Sequence, residues 1–157
     1  MTVEMWDRLS AVEVIEAMRD GALPRWPQDE LIGLWAAGAK PGVVEMRWEP
    51  TPEACNPAGA AHGGYIAMVL DNAVCLAGAS IGERFVPQLT LSLNIDYLRA
   101  ILPGAAYAVR AEVVHPGKSR IVVNGTITDP SGRTAAQAHA AVTPNRAFTA
   151  GPPPMPA

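Results

Sequence analysis

The stretch from His62 to Ser80 constrains this chain more than any other. It reads His-Gly-Gly-Tyr-Ile-Ala-Met-Val-Leu-Asp-Asn-Ala-Val-Cys-Leu-Ala-Gly-Ala-Ser, and beyond its two glycines it is apolar on nearly every side of a helical wheel. Such a helix belongs in the middle of a fold and needs cover all round. Asp71 is its one charge, and an ionised carboxylate in an apolar core is costly unless something compensates it. On the wheel its neighbours are Gly64, Ala67, Met68, Val74, Cys75 and Gly78, mostly small, which leaves space beside the carboxyl group. Glycines at a helix start leave backbone N–H groups bare. Donors at the tip of a buried helix and an acid farther along it suit acyl chemistry.

The rest of the chain supplies the cover. Met5, Leu9, Val12, Val14, Ile15 and Met18 recur at helical spacing within residues 4–20, and Gly21 closes that helix. Pro24 and Pro27 make a connector. Gln28-Asp29-Glu30 then opens a second helix that runs through Leu31, Leu34 and Trp35 to about Gly38, its acids suiting the helix dipole. Trp26, Leu31 and Trp35 either close one end of a pocket or pack on the domain, and packing is the first reading. Val43–Glu49 alternates as a strand, and Pro50–Ala61 is an irregular loop. Beyond the central helix, Gln88–Leu98 is the clearest strand, with Leu89, Leu91, Leu93, Ile95 and Tyr97 on one face. Strands follow at about 106–114, 119–128 and 133–143, separated by His115-Pro116-Gly117-Lys118 and Asp129-Pro130-Ser131-Gly132 turns. Links this short imply an antiparallel meander.

The expected fold is therefore α+β: a curved antiparallel sheet wrapped around one long central helix, the hotdog architecture, with an N-terminal helical extension. Residues 1–42 are assigned to a helical cap, 43–144 to the hotdog domain and 145–157 to a flexible Pro-rich tail.

Composition narrows the function classes. The chain has 157 residues, 49% hydrophobic and 17% charged, with a net charge of −3 and a pI near 5.6. That leaves no basic stripe for nucleic acid. Charge is scarce against the usual level of about 25%, so part of the surface is expected to meet another subunit. No uncharged apolar run reaches the roughly 18 residues of a membrane span, and the first twenty residues do not read as a signal peptide. A cytoplasmic location is the default expectation. Cys55 and Cys75 form no CxxC pair, and three scattered histidines offer no metal-ligand spacing, so no metal is expected. Cys75, one turn past Asp71, reads as a small buried hydrophobe before it reads as a nucleophile.

From Asn56 to Asp71 the chain runs Asn-Pro-Ala-Gly-Ala-Ala-His-Gly-Gly and then Tyr-Ile-Ala-Met-Val-Leu-Asp. This resembles the acyl-CoA thioesterases of the phenylacetate-type (PaaI-like) branch of the hotdog superfamily, to which 4-hydroxybenzoyl-CoA thioesterase also belongs. Their signature is Asn, Gly, His-Gly-Gly and then Asp, matched by Asn56, Gly59, His62, Gly63, Gly64 and Asp71. The likeness extends through Asn94–Arg99, Gly117-Lys118-Ser119 and Asp129–Gly132, covering residues 43–144. It implies Asp71 as general base or nucleophile on a thioester, with the Gly63 amide polarising the carbonyl. It implies Asn56 and His62 as residues that orient the water or the loop, and Thr90 as the hydroxyl that holds water. Gly64, Gly117, Lys118 and Ser119 would contact the substrate, the last three at the pantetheine and phosphate part of coenzyme A. No separate cofactor is expected, because coenzyme A is part of the substrate.

Thioester hydrolysis needs an acceptor for the water proton, or an attacking carboxylate, and donors for the oxyanion. Gly63 and Asp71 lie eight residues apart on one helix, about 12 Å at 1.5 Å per residue, so one thioester carbon cannot touch both. Two antiparallel copies of the helix can bring the tip of one to the middle of the other. The expectation is a homodimer with its site at the interface, and a dimer of dimers beyond it. The function expected is hydrolysis of an aromatic or medium-chain acyl-CoA to the free acid and coenzyme A. The alternative is a non-catalytic acyl-CoA-binding hotdog module, against which the retained acid argues. A hotdog dehydratase or hydratase ranks last, because its paired acid and histidine are not visible.

Overall fold

A computed structural model describes residues 8–147. Its first helix, α1 (Ala11–Arg19), opens with a reciprocal cap: the Ser10 hydroxyl accepts from the Glu13 amide at 3.3 Å, and the Glu13 carboxylate accepts from the Ser10 amide at 2.8 Å. Ala11, Val14, Ile15 and Met18 are its buried face, whereas Met5 lies outside the described residues. A short α2 (Pro27–Ile32) begins on a proline and stops at Gly33, whose φ of 76° only glycine adopts easily. A side chain at Gly33 would also run into the Glu49 carbonyl oxygen.

The second helix expected to reach Gly38 thus ends at Ile32, and Leu34–Lys40 is instead strand β1. It pairs antiparallel with β2 (Val43–Trp48) around a bulge between Ala36 and Gly38. The sheet gains a sixth strand in this way. The others are β3 (Gln88–Tyr97), β4 (Tyr107–Pro116), β5 (Ile121–Thr128) and β6 (Thr134–Pro144), within three residues of the expected bounds. All pairings are antiparallel, in the order β1-β2-β4-β5-β6-β3. The meander expected from the short turns is β4-β5-β6; β3 closes the sheet against β6.

One face of this sheet wraps the long helix α3 (Gly63–Ala79), the hotdog arrangement expected from the element order. Val109, Ala111, Val123, Ile127, Ala136, Ala140 and Val142 are buried on that face. The helix lies close over Gly125, where an added Cβ would stand 3.2 Å from Val74 and 3.3 Å from Leu70. Its own Gly78 lies closer still to β6, an added Cβ there meeting Val142 at 2.7 Å. The outer face is polar: Arg110 bridges Glu45 and Glu112, and Gln137 donates to Asp96.

The helix is not covered all round. Ile66, Val69, Leu70, Ala73, Val74 and Ala77 are buried, but Gly64, Ala67, Met68, Asp71 and Cys75 form a partly open stripe. The simple alternation expected for β3 is also broken. A bulge between Thr90 and Ser92 shifts its phase, so Thr90 lies opposite the buried Val142 and Leu93 opposite the buried Ala140. Leu89, Leu91 and Tyr97 remain 51%, 50% and 54% exposed along this edge strand. The tail expected over 145–157 lies, from residue 148 onward, outside the described residues.

Candidate active site

The β3 bulge brings Thr90 to Asp71. The Thr90 hydroxyl donates to Asp71 Oδ1 at 2.6 Å, and the Cys75 sulfur stands 3.3 Å from the same hydroxyl. With its proton given to Asp71, Thr90 accepts from the Cys75 S–H. The chain of bonds thus runs thiol to hydroxyl to carboxylate and fixes the Asp71 side chain. Burial pushes the Cys75 thiol up to about 11, with Asp71 adding to the rise, so it stays protonated and is no thiolate nucleophile. Asp71 Oδ2 has no hydrogen-bond partner among the described residues and is free for chemistry.

Asp71 borders a cavity of about 230 Å³ whose walls are mostly apolar: Trp26, Cys75, Leu76, Ala79, Phe85 and Pro87. Of the three N-terminal residues considered for a pocket wall, only Trp26 reaches it. Leu31 is largely exposed, and Trp35 takes the Arg25 guanidinium over its ring at 4.6 Å.

The other half of the candidate site is at the start of α3. His62 is its N-cap, with Nδ1 accepting from the Gly64 amide at 2.9 Å, which leaves the ring proton on Nε2. Gly64 therefore spends its N–H on His62. The Gly63 N–H meets no acceptor among the described residues. The Tyr97 hydroxyl donates to the Gly63 carbonyl at 3.1 Å, steadying this turn from β3. Gly63, Tyr97 and Arg99 line a second cavity of about 310 Å³. Asn56 shapes the approach loop: its side-chain oxygen accepts from the Ala58 and Ala60 amides at 2.9 and 3.3 Å.

Asp71, Thr90 and Cys75 are thus brought together, as are Asn56, His62, Gly63 and Gly64 around the helix tip. Asp71 and Cys75 line one cavity and Gly63 lines the other within one chain. Gly117, Lys118 and Ser119 stand at the β4–β5 hairpin and line neither cavity; the Lys118 carbonyl accepts from Arg146. Among the described residues no three His, Cys, Asp or Glu side chains come together as a metal site. No described helix is long and apolar enough to cross a membrane, which says nothing of β-barrels. His139 pairs with Asn124 on the outer sheet face at 2.8 Å.

Sequence reasoning missed one pair. Asn72 donates to Asp29 at 2.7 Å, and Asp29 is only 1% exposed. Burial raises the Asp29 carboxyl to about 6, against the smaller opposing effects of the Asn72 hydrogen bond and the Arg25 charge. The available signal was Asn72 itself, a second polar residue beside Asp71 in an otherwise apolar helix.

Comparison with known proteins gives a consistent picture. The model of the thioesterase superfamily matches residues 58–136. No curated protein matches the chain significantly. Among solved structures, a Streptococcus mutans protein bound to acetyl-CoA is 26% identical, with a TM-score of 0.67 over 72% of this chain and 89% of its own. A thioesterase family protein from Silicibacter pomeroyi is also 26% identical, with a TM-score of 0.71 over 82% and 96% of the two chains. The Escherichia coli PaaI protein of the phenylacetic acid degradation operon shares the fold at 20% identity, with a TM-score of 0.73 over 86% and 96%.

Proposed function

The chain belongs to the thioesterase superfamily and is a thioester hydrolase, and from that premise we propose that it cleaves acyl-CoA esters with Asp71 as general base or nucleophile. The observation that carries the assignment is Asp71, held through Oδ1 by Thr90, with Oδ2 open beside an apolar cavity. Relatives support the coenzyme A part. The Streptococcus mutans protein holds acetyl-CoA, and a hypothetical thioesterase protein from Streptococcus pneumoniae, 26% identical, was solved with coenzyme A. The latter protein was also solved with one aspartate or one threonine replaced by alanine, the two residue types joined here at Asp71 and Thr90.

In the base mode, Oδ2 takes a proton from water, whose oxygen attacks the thioester carbon. The C–S bond then breaks and the thiolate of coenzyme A leaves with that proton. In the nucleophile mode, Oδ2 itself bonds to the thioester carbon and the C–S bond breaks to release the coenzyme A thiolate. Water then hydrolyses the mixed anhydride to the free acid and the Asp71 carboxylate, and a proton of that water ends on the thiolate. Either path puts negative charge on the carbonyl oxygen, which a free helix-tip amide such as Gly63 N–H stabilises. Asn56 and His62 hold that tip in shape. Gly117, Lys118 and Ser119, on an exposed hairpin, are assigned to the coenzyme A moiety.

Gly63 and Asp71 of one chain border separate cavities, so the amide serving Asp71 is assigned to a second copy. The edge position of β3, its exposed leucines and the open stripe on α3 support a two-fold dimer built on that edge, and a dimer of dimers is the further expectation. The acyl group belongs in the 230 Å³ cavity. This is below the ~300–1,000 Å³ of pockets for drug-sized ligands, which favours a medium-chain or single-ring acyl group.

The test is thiol release from a panel of acyl-CoA esters. Asp71→Asn and Asp71→Ala should each lose about 10²- to 10⁴-fold in kcat. Wild-type rates in both variants would overturn the assignment, and saturable ester binding without thiol release in the wild type would select a binding module instead.

A further inference from the structure

Trp26 forms part of the cavity wall beside Asp71, yet it belongs to a segment that cannot hold itself in place. Trp26 is the N-cap of α2, a helix of six residues, and helices that short are unstable on their own. The segment is fastened on both sides of the tryptophan instead. Before it, Arg25 stacks on the Trp35 ring of β1. After it, Asp29 takes the hydrogen bond of Asn72 from the central helix at 2.7 Å. The Asp29 and Glu30 amides both donate to the Trp26 carbonyl at 3.0 Å, so the helix turn transmits the position of Asp29 to Trp26.

We infer that the buried Asp29–Asn72 hydrogen bond is a positioning contact that sets Trp26 as a wall of the acyl cavity and so determines which acyl groups are accepted. The inference rests on reading that cavity as the acyl site. A carboxylate buried this deeply is a poor way to gain stability, since an apolar pair of similar volume would pack at lower cost. What a polar pair supplies is a single register. Apolar contacts tolerate sliding of α2 along α3, whereas Asn72 Nδ2 has one good acceptor. Asn72 also follows Asp71 directly and lines the same cavity, so the wall is referenced to the residue beside the reacting group.

The experiment compares hydrolysis of straight-chain acyl-CoA esters from acetyl to dodecanoyl by wild type, Asp29→Ala, Asp29→Asn and Trp26→Ala. Asp29→Ala and Trp26→Ala should each raise the dodecanoyl-to-hexanoyl ratio of kcat/KM by about fivefold or more, chiefly through KM. The double variant should shift no further than Trp26→Ala alone, because the two changes remove the same wall. Asp29→Asn should stay within about twofold of wild type, since its amide oxygen still accepts from Asn72. A uniform loss of kcat across all esters in Asp29→Ala, or an Asp29→Asn as altered as Asp29→Ala, would overturn the inference. The same esters are titrated calorimetrically against Asp71→Asn protein with and without Asp29→Ala. Unchanged Kd ratios there sink the inference whether or not the wild type hydrolyses anything, whereas an absence of turnover by wild type sinks only the assigned reaction.

Discussion

Thr90 reaches Asp71 through one hydroxyl, and a valine at that position would keep the shape while removing the donor. Hydrogen bonds to charged groups are worth about 1.5–3 kcal/mol, so Thr90→Val should lower kcat by roughly 10- to 100-fold, with KM changed much less. Thr90→Ser keeps the donor and should recover most of that loss. A Thr90→Val enzyme with wild-type kcat would mean that Asp71 needs no orienting bond. The motif marked His62 and Asn56 as residues that orient the water or the loop, and the hydrogen bonds they make are those of the loop. Both accept from nearby backbone N–H groups, as a helix cap and a turn do. Asp29 looked like an acid placed for the helix dipole. The fold instead buries it against Asn72 of α3, a hydrogen bond across 43 positions, and no local pattern encodes such a contact.

At the scale of elements, the apolar run of α3 and the turn residues of the meander were enough to specify the helix, the strands and their antiparallel sense. The pattern failed in two places for physical reasons. Leu34-Trp-Ala-Ala-Gly-Ala-Lys40 lacks β-branched residues and reads equally as helix, so its strand state comes from pairing with β2. In β3 the alternation of leucines is real, but the bulge after Thr90 changes which residues face the helix, and a bulge leaves no mark in periodicity. The α2–α3 junction also carries a prediction about pH. The Asp29 carboxyl rises from 3.8 to about 6 on folding because burial disfavours its charge. The native chain therefore holds a proton that the unfolded chain releases between those values, and stability falls as pH rises through that window. The contribution is neutral below about 4 and reaches a loss of about 3 kcal/mol above about 6, at 1.36 kcal/mol per pKa unit. Urea denaturation of wild type and Asp29→Asn from pH 4 to 7 isolates it, because carboxylates with lowered values, such as Asp129, act alike in both proteins. The wild type should lose stability relative to Asp29→Asn as pH rises. A constant difference would show that Asp29 is already ionised at pH 4.

At the scale of the whole molecule, the reaction centre is proposed to need two chains, and the helix start offers an unusually clean way to ask. Proline at the first position of a helix is well tolerated and lacks an N–H, so Gly63→Pro deletes the donor and keeps the helix. Local geometry permits it. His62 already has φ −67° and ψ 138°, the extended conformation a residue before proline adopts, and an added Cβ at Gly63 meets the Tyr97 ring no closer than 3.5 Å. Gly63→Pro and Asp71→Asn should each be nearly inactive alone. In a mixed dimer, the intact Asp71 of the first variant faces the intact Gly63 amide of the second, and one of the two sites is whole. Equal amounts, unfolded together and refolded, give hybrids as about half of all dimers, each with one working site, so activity should return to about a quarter of wild type. If the amide and the carboxylate act within one chain, each variant carries its own defect into every dimer and mixing restores nothing. Recovery near a quarter, seen only after co-refolding and not after simple mixing of tight dimers, would place the reaction between subunits. It would also give the open edge of β3, with its exposed leucines, a reason to exist.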